Sequence, residues 1–474
     1  MEIKKLYING EFVDGNSGQY IEIENPYTRE IIEKVPRGDR EDVERAVRAA
    51  RKAFETWQEV PVEERIRLME SVVQGLKARR DELIETVTKE LGSPYKVSRD
   101  VHVDPFILEA ENYILTARNY EYEKRLENSV VRREPVGVVG GLTPWNFPLE
   151  QIVKKVVPAL LAGNCVILKP SQMTPLTAYI LTELIDAAGY PAGVYNMVTG
   201  KGAEVGNVLA SHPEVDMISF TGSTDAGREV ARMGLANIKK LALELGGKSA
   251  TVLLPGGDYE LGVKATLDTV FLNSGQTCNA TTRLLVQEED LKSVEDIIIR
   301  QSSGYVVGNP TDWTVDIGPL SSQKQYDKVK GYIELGVKEG ARMIVGEVPD
   351  GQTEGYYVKP VVFSDVTQDM RIEKEEIFGP VLCVSTYKTV DEAVEKANDS
   401  IYGLGGAVFG PEELAQKVAR RIKTGTIYVN DGEWDVRAPF GGYKQSGLGR
   451  EGGVEGFEEF LEVKSIYTPR GERR

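Results

Sequence analysis

The chain has 474 residues, of which 41% are hydrophobic and 27% are charged. This ordinary composition excludes a disordered, fibrous or low-complexity protein, and the length favours roughly three domains of about 150 residues each. The formal net charge is −16, and an acidic surface repels phosphate backbones, so nucleic acid is an improbable partner.

The three cysteines are odd in number and widely spaced, which indicates a reducing compartment rather than a disulfide framework. The N-terminal stretch MEIKKLYINGEF lacks the apolar core of a signal peptide. No segment reaches the roughly 18–20 apolar residues that a membrane helix needs. We therefore expect a cytoplasmic protein with no membrane partner.

Taken in chain order, two hairpin dipeptides, NG at 9–10 and DG at 14–15, predict short strands within residues 1–35. Apolar residues at helical spacing then predict that residues 40–125 are mostly helical.

From residue 130 the pattern becomes an alternation of apolar strands and amphipathic helices. Strands are predicted at 136–142, 165–168, 194–198, 215–220 and 238–243, and helices at 151–161, 175–188, 202–210 and 224–233. Thr174 is a possible N-cap of the second helix. Five alternating strands within about a hundred residues predict a parallel, doubly wound sheet.

A second α/β region is predicted from residue 249 to about residue 440. Its strands include residues 250–254, 343–345, 381–386 and 426–429. Gly246-Gly247 separates the two regions and is a plausible hinge. Residues 113–136 and 457–467 are predicted to be exposed and rich in strands, which makes them candidates for an oligomer interface.

One strand end carries a candidate phosphate site. The sequence Phe220-Thr221-Gly222-Ser223-Thr224 ends a predicted strand and begins a helix, and doubly wound sheets bind ligands at such ends. Backbone N–H groups there could contact a pyrophosphate. An ordinary helix capped by Ser or Thr explains the same residues.

The cysteines differ in their surroundings. Cys165 and Cys383 have apolar neighbours, whereas Cys278 lies in the polar stretch NSGQTCN. A cysteine in a polar loop that opens a helix can be exposed with a lowered pKa, although a loop cysteine without a role remains the alternative. His102 and His212 belong to no zinc-binding motif, so no metal site is expected.

Two further polar residues stand out. Glu244 follows an apolar strand and precedes Gly246-Gly247, and apolar flanks raise a carboxyl pKa toward the range of a general base. Asn146 lies in PWNFP, where the prolines and aromatic residues immobilise an amide that could stabilise an oxyanion. A solvated loop carboxylate and a turn asparagine are the alternatives.

Together these segments resemble the aldehyde dehydrogenase superfamily from end to end. Each motif is modest alone, but all of them in this order are highly specific. The motifs are PWNFP (144–148), KPS (169–171), FTGST (220–224), LELGGK (243–248), GQTC (275–278), EIFGP (376–380) and PFGGYKQSGLGRE (439–451).

The resemblance assigns roles to individual residues. It implies that Cys278 is the nucleophile, Glu244 the general base, Asn146 the oxyanion amide and Lys155 part of a proton relay. The implied contacts of the cofactor, NAD or NADP, are Thr143, Trp145, Lys169, Ser171, Gln172, Gly222, Ser223, Leu245, Glu376 and Phe378. The implied substrate tunnel contains Phe147, Lys154, Thr277, Asn279, Trp434 and Phe440.

The implied fold is α/β, with a Rossmann-like doubly wound cofactor domain (1–112 and 137–246), an α/β catalytic domain (247–445) and a small β oligomerisation element (113–136 and 446–474). The last part pairs chains in the family, so a homodimer or homotetramer is expected.

The implied reaction oxidises an aldehyde to a carboxylic acid through a cysteine thiohemiacetal and a thioester. A coenzyme-A acylating dehydrogenase, a cofactor-free cysteine esterase and a non-catalytic relative are the alternatives. Glu244 favours hydrolysis, since coenzyme-A acylating members commonly lack this base.

Two departures from the family pattern bear on specificity. Gln172 stands where many NAD-preferring members carry Glu, so NADP should at least be tolerated. Lys154 stands where many members place an aromatic residue in the tunnel, and Trp434 and Arg437 precede Phe440. These polar and basic groups favour a polar or anionic semialdehyde, although surface positions would explain them equally well.

Overall fold

The computed structural model describes residues 3–351 and 355–467, and the strands in that part of the chain form four sheets. Numbered in chain order, the strands are β1 (Leu6–Ile8), β2 (Glu11–Val13), β3 (Tyr20–Glu24), β4 (Ile31–Pro36), β5 (Glu123–Arg125), β6 (Ser129–Pro135), β7 (Val138–Leu142), β8 (Cys165–Lys169), β9 (Tyr195–Met197), β10 (Met217–Thr221), β11 (Lys240–Glu244), β12 (Ala250–Leu253), β13 (Arg283–Gln287), β14 (Arg342–Val345), β15 (Val361–Ser364), β16 (Val381–Tyr387), β17 (Gly406–Phe409), β18 (Tyr428–Val429), β19 (Gly447–Leu448) and β20 (Leu461–Tyr467).

Helices surround these sheets. They are α1 (Arg40–Trp57), α2 (Val62–Ala78), α3 (Arg80–Leu91), α4 (Tyr95–Val97), α5 (Asp104–Asn119), α6 (Pro148–Ala162), α7 (Leu176–Ala188), α8 (Asn207–Ser211), α9 (Thr224–Leu235), α10 (Tyr259–Phe271), α11 (Leu291–Ser302), α12 (Gln323–Glu339), α13 (Arg371–Lys374), α14 (Val390–Asn398), α15 (Glu412–Ala419) and α16 (Gly453–Glu458). None of the described helices is long and apolar enough to span a bilayer.

The first sheet has the strand order β19-β11-β10-β7-β8-β9-β1-β2. Its central strands, β11, β10, β7, β8 and β9, run parallel and are the five that the sequence predicts. Strands β7 and β8 are buried along their whole length because helices cover both faces, as in other parallel sheets. The prediction of a doubly wound α/β sheet is confirmed.

The second sheet has the order β14-β15-β16-β13-β12-β17-β18, with only β14 antiparallel to its neighbour among the described strands. The sequence analysis identified β12, β14, β16 and β18 but missed β13, β15 and β17. Strands β15 and β17 are fully buried runs of four residues, which periodicity alone does not distinguish from buried helix.

Two local predictions are wrong. Residues 113–119 belong to helix α5 rather than to a strand, and strands begin only at β5. The expected helix at 202–210 is split into a π-helical turn, Gly202–Gly206, and the short helix α8.

A three-stranded sheet, β20-β6-β5, stands apart from the two larger sheets. Strand β20 pairs with β6 over its whole length, from Leu461 opposite Pro135 to Tyr467 opposite Ser129. Its outer edge is unpaired in the described chain and its side chains are mostly exposed. Residues 468–474, the end of the predicted oligomerisation element, lie outside the described residues.

Helix α7 begins differently from the prediction. Pro175, not Thr174, occupies the N-cap position and supplies no side-chain acceptor. The carboxylate of Glu90, from helix α3, instead accepts hydrogen bonds from the Leu176 and Thr177 N–H groups at 2.7 and 3.2 Å. Glu90, which is distant in sequence, therefore caps the N-terminus of helix α7 in place of a local residue.

Candidate active site

A cleft of about 420 Å³ lies between the carboxyl edge of the first sheet and loops that precede strands β13 and β16 of the second. Parallel sheets bind ligands at such carboxyl edges. The predicted site residues that line this main cleft are Trp145, Asn146, Gly222, Ser223, Leu245, Cys278, Glu376 and Phe378. Sequence reasoning missed other lining residues, among them Gln151, Met173, Gln325 and Lys328.

The loop that carries Cys278 is tied to the loop that carries Asn146. The Asn146 side-chain amide donates to the Gln276 carbonyl at 3.1 Å, and the Asn273 amide donates to the Asn146 carbonyl at 2.8 Å. Asn273 and Ser274 have φ values of 52° and 58°, a left-handed conformation that non-glycine residues rarely adopt. Such strain persists where the surrounding contacts over-determine the backbone, so the loop that carries Cys278 is held rigidly.

Cys278 differs from its predicted environment. It lies in a turn before β13 rather than at a helix N-terminus, and its side chain is half-buried. Burial raises the pKa of the Cys278 thiol, and the carboxylates of Glu150, Glu376 and Glu244 raise it further. The expectation of a lowered pKa is therefore wrong for Cys278.

Glu244 ends strand β11 and is only 4% exposed. Neither of its carboxyl oxygens has a hydrogen-bond partner among the described residues. Burial raises the pKa of Glu244 well above its usual value, and the neighbouring carboxylate of Glu451 raises it further. A desolvated carboxyl with free oxygens has the properties of a general base.

Lys155 reaches Glu451 from helix α6. The fully buried Lys155 ammonium forms an ion pair with Glu451 and donates to Thr221 Oγ1 at 2.7 Å and to Gln151 Oε1 at 3.3 Å. The sequence analysis singled out Lys155 but not Glu451. Glu451 is the last residue of the motif at 439–451, so its position in that motif was the available signal.

At the opposite side of the main cleft, Glu376 accepts a hydrogen bond from the Gly247 N–H at 3.1 Å. A Cβ at Gly246 would clash with the same carboxylate, so a glycine is needed for this close approach. The rings of Trp145 and Phe378 meet edge to face at 5.5 Å.

The remaining predicted cofactor contacts follow the ends of β7, β8 and β10. Burial lowers the pKa of Lys169 to about 8, and its ammonium donates to the Pro170 carbonyl at 3.0 Å. The Thr143 N–H donates to the Lys169 carbonyl at 3.2 Å. Ser171 Oγ accepts from the Met173 N–H, Gln172 is exposed, and Ser223 caps helix α9. The N-cap interpretation of Ser223 is thus correct in the described structure.

The predicted tunnel residues divide into buried and exposed groups. Phe147 stacks on the buried His102, with ring centroids 4.6 Å apart, and Thr277 Oγ1 donates to the Leu272 carbonyl at 3.3 Å. Asn279 is half-buried beside Cys278. Trp434 is 48% exposed and lines, with Phe440, an outer cleft of about 510 Å³.

Lys154 is almost completely buried, which excludes the surface position that the sequence left open for it. Its ammonium contacts Glu150 Oε1 at 2.6 Å. Arg437, by contrast, is an exposed residue paired with Asp435 at 2.7 Å. The positive charges that favoured an anionic substrate are therefore both compensated by carboxylates.

The described side chains contain no group of three or more His, Cys, Asp or Glu residues arranged to hold a metal ion. The main cleft offers groups that could bind a nucleotide. The backbone at Gly222, the Glu376 carboxylate and the Gly246 backbone that packs closely against it all line this cavity. These residues fit a dinucleotide with a pyrophosphate and a ribose.

Comparisons with known proteins agree with this arrangement. Residues 12–466 match the model of the aldehyde dehydrogenase family. A 3-succinoylsemialdehyde-pyridine dehydrogenase from Pseudomonas sp is 44% identical over 477 residues, covering 99% of each chain. A crystal structure of a mutant aldehyde dehydrogenase C from Pseudomonas syringae with NAD⁺ and octanal has a TM-score of 0.96 at 41% identity, covering 98% of this chain and 96% of that one.

A betaine aldehyde dehydrogenase from Staphylococcus aureus, crystallised with NAD⁺, is similarly close in structure. Its TM-score is 0.96 at 37% identity, and the match covers 99% of this chain and 97% of that chain. The chain therefore belongs to the aldehyde dehydrogenase family, and it is an NAD(P)-dependent enzyme that oxidises aldehydes.

Proposed function

We propose that the enzyme oxidises aldehydes to free carboxylic acids through a thioester on Cys278. The Cys278 thiolate attacks the aldehyde carbonyl, and the Asn146 amide together with the Cys278 N–H stabilises the resulting oxyanion. Loss of hydride from the tetrahedral carbon would leave the thioester on Cys278, and a nicotinamide cofactor held in this cleft would supply the hydride acceptor. The observation that carries this proposal is that Cys278, Asn146 and Glu376 line one cleft.

Glu244 would promote the second step of the reaction, hydrolysis of the thioester. Its buried carboxylate removes a proton from the water that attacks the thioester, and Lys155 with Glu451 lies behind it as a route for that proton. The free oxygens of Glu244 favour hydrolysis over transfer to coenzyme A. The second alternative to aldehyde oxidation is ester hydrolysis by Cys278 and Glu244, which requires no cofactor.

The cofactor would be held along the main cleft. Glu376 would accept from ribose hydroxyls, Phe378 and Trp145 would pack beside the nicotinamide end, and the backbone around Ser223 would meet the pyrophosphate. Lys169 ends β8, where it could contact the adenosine ribose. The exposed amide of Gln172 neither repels a 2′-phosphate nor demands its absence, so both NAD and NADP should serve.

We propose that the substrate is a polar aldehyde without a net charge. A semialdehyde whose second functional group is uncharged would be an example. The pairing of Lys154 with Glu150 removes the basis for an anionic substrate. The relatives support a broad aldehyde range, since one acts on 3-succinoylsemialdehyde-pyridine and another was crystallised with octanal.

We further propose that two or four copies assemble through the exposed edge of β20, because an unpaired strand edge pairs readily with another chain. We also propose the domain division given above, with a cofactor domain (1–112 and 137–246), a catalytic domain (247–445) and an oligomerisation element (113–136 and 446–474). The pairing of β19 with β11 attaches residues 447–448 to the cofactor sheet. A cytoplasmic location agrees with the unpaired cysteines.

The test is a Cys278→Ser variant assayed with an aldehyde panel and both nicotinamide cofactors. We expect loss of cofactor reduction and of ester hydrolysis together, because one thiol serves both. A Cys165→Ala variant is the matched control, since Cys165 is buried in β8. Undiminished aldehyde oxidation by Cys278→Ser would overturn the proposal, and thioester formation after addition of coenzyme A would favour the acylating alternative.

A further inference from the structure

The Lys154 ammonium is surrounded by groups that bind alkylammonium ions. It lies 4.8 Å from the ring centroid of Phe440 and 5.6 Å from that of Phe106. The Glu150 carboxylate contacts it at 2.6 Å, and the Lys154 side chain is 6% exposed. Aromatic faces and a carboxylate around a desolvated cation form a strong cation-binding arrangement.

A second carboxyl belongs to the same cluster. Glu109 projects from helix α5, which packs against the α6 helix of Lys154. It is 2% exposed, and its Oε2 has no hydrogen-bond partner among the described residues. Burial raises the pKa of Glu109 to about 7, and the positive charge of Lys154 opposes that rise. The Lys154 cluster, made of Lys154, Glu150, Glu109, Phe106 and Phe440, therefore contains two acids for one ammonium.

The Lys154 cluster adjoins the outer cleft through the ring of Phe440. Phe440 lines the outer cleft together with Tyr428 and Trp434. Glu150 and Lys154 both act electrostatically on the Cys278 thiol, so the cluster lies within electrostatic range of that sulfur.

We propose that Lys154 is a tethered cation that occupies an alkylammonium-binding position in the substrate tunnel. By filling this position with the enzyme's own charge, Lys154 excludes aldehydes that carry a positive charge near the carbonyl group. Lys154 is thus a specificity-determining residue, and the inference rests on the proposed oxidation of aldehydes at Cys278.

An enzyme without the Lys154 side chain should therefore accept aldehydes that carry an ammonium group. Removing the lysine side chain leaves the faces of Phe106 and Phe440 and the carboxylates of Glu150 and Glu109 without their cation. A substrate with its own ammonium group can then take the vacated place and restore the charge balance. A neutral substrate of the same shape gains nothing from the two acids.

The experiment compares isosteric pairs of aldehydes that differ only in charge. Trimethylammonioacetaldehyde is paired with 3,3-dimethylbutanal, and 4-(trimethylammonio)butanal with 5,5-dimethylhexanal. The ratio of kcat/KM for the cation to that for the neutral partner is measured in the wild type, Lys154→Ala, Lys154→Met and the double variant Lys154→Ala, Glu150→Gln. Lys154→Met is the matched control, because it removes the charge while filling the volume.

We expect Lys154→Ala to raise the cation-to-neutral ratio by at least about tenfold for one of the two pairs. Lys154→Met should change the ratio less, and Glu150→Gln in the Lys154→Ala background should reverse most of the gain. An unchanged ratio in Lys154→Ala, or an equal rise in Lys154→Met, overturns the inference while the oxidation of the neutral aldehydes leaves the proposed function intact. A folded wild type that oxidises none of the aldehydes instead overturns the proposed function.

A binding measurement removes the dependence on turnover. Thermal unfolding of Lys154→Ala is followed with rising concentrations of ethylammonium chloride, with sodium chloride at equal ionic strength as reference. Ethylammonium should raise the Tm of Lys154→Ala but not that of the wild type, since only the variant has a vacant cation position. Equal behaviour of the two proteins would contradict the inference even if the variant were too unstable for kinetics.

Discussion

Lys155 and Glu451 form a buried ion pair that joins helix α6 to the segment after β19, and both partners act electrostatically on the Glu244 carboxyl. The two partners act on Glu244 in opposite directions: Glu451 raises its pKa and Lys155 lowers it. The pair therefore adjusts the proton affinity of the proposed base.

A Glu451→Gln variant tests this relationship. Removing the Glu451 charge takes away the main electrostatic reason for the raised pKa of Glu244 and leaves Lys155 unopposed, so the pKa of Glu244 should fall. The acidic limb of the kcat–pH profile should move to lower pH by about one unit. Lys155→Met should move the limb to higher pH, and a limb that stays in place in both variants would contradict the electrostatic coupling of the pair to Glu244.

The Asn146 amide should be required in the transition state. Its Nδ2 donates to the Gln276 carbonyl, 3.1 Å away on the loop that carries Cys278. We expect Asn146→Ala to lower kcat by about 10²–10³, the usual loss for one oxyanion donor, with a smaller effect on KM. Steady-state kinetics with a saturating cofactor provide the measurement, and a loss below about tenfold would assign the oxyanion to other donors.

Cofactor choice should depend on position 172. The neutral and exposed Gln172 should permit turnover with both NAD and NADP. Introducing a carboxylate by Gln172→Glu should lower kcat/KM for NADP at least about tenfold more than for NAD, because the carboxylate repels a 2′-phosphate. Wild-type turnover with NAD alone, without NADP binding, would contradict the expected tolerance.

Glu90 should make the stability of the protein depend on pH. Burial raises the pKa of Glu90 to about 7 from an ordinary value of 4.5, although its hydrogen bonds to Leu176 and Thr177 oppose that rise. Between these values the folded protein retains a proton that the unfolded chain has lost. The contribution of Glu90 to stability therefore falls as the pH rises through this window.

Replacing Glu90 with glutamine removes that titration. The free energy of unfolding of Glu90→Gln relative to wild type should improve by up to about 3 kcal/mol between about pH 5 and about pH 8. Glu85→Gln, on the exposed part of the same helix, is the control and should show a difference near zero. Urea denaturation at several pH values measures both, and parallel curves for Glu90→Gln and wild type would contradict the account.

The sequence predicts the parts of the site that depend on local pattern. Strand ends, glycines and immobilised polar residues locate Asn146, Glu244 and Cys278, because the carboxyl ends of parallel strands share one edge of a sheet. The carboxylates that surround Lys154 are harder to predict from the sequence. Glu150 precedes Lys154 by one helical turn and could have been recognised, but Glu109 comes from a different helix. The raised pKa of Cys278 depends on burial, which the polar sequence around it does not reveal.

Long-range contacts also explain the errors in the fold. The N-terminus of helix α7 was assigned to a neighbouring threonine, whereas a carboxylate from helix α3 satisfies its N–H groups. The short buried strands β15 and β17 have no alternation to identify them, since neither face of their sheet meets water.

The central claim is that a thioester forms on Cys278 and that Glu244 promotes its hydrolysis. The most direct measurement is intact-protein and peptide mass spectrometry of a Glu244→Gln variant mixed with aldehyde and oxidised cofactor. We expect a rapid burst of about one reduced cofactor per subunit, and an acyl mass increment on the peptide containing Cys278 that is absent from a Glu244→Gln, Cys278→Ala double variant. Turnover at the wild-type rate with no adduct, or an adduct that survives in the double variant, would contradict the mechanism.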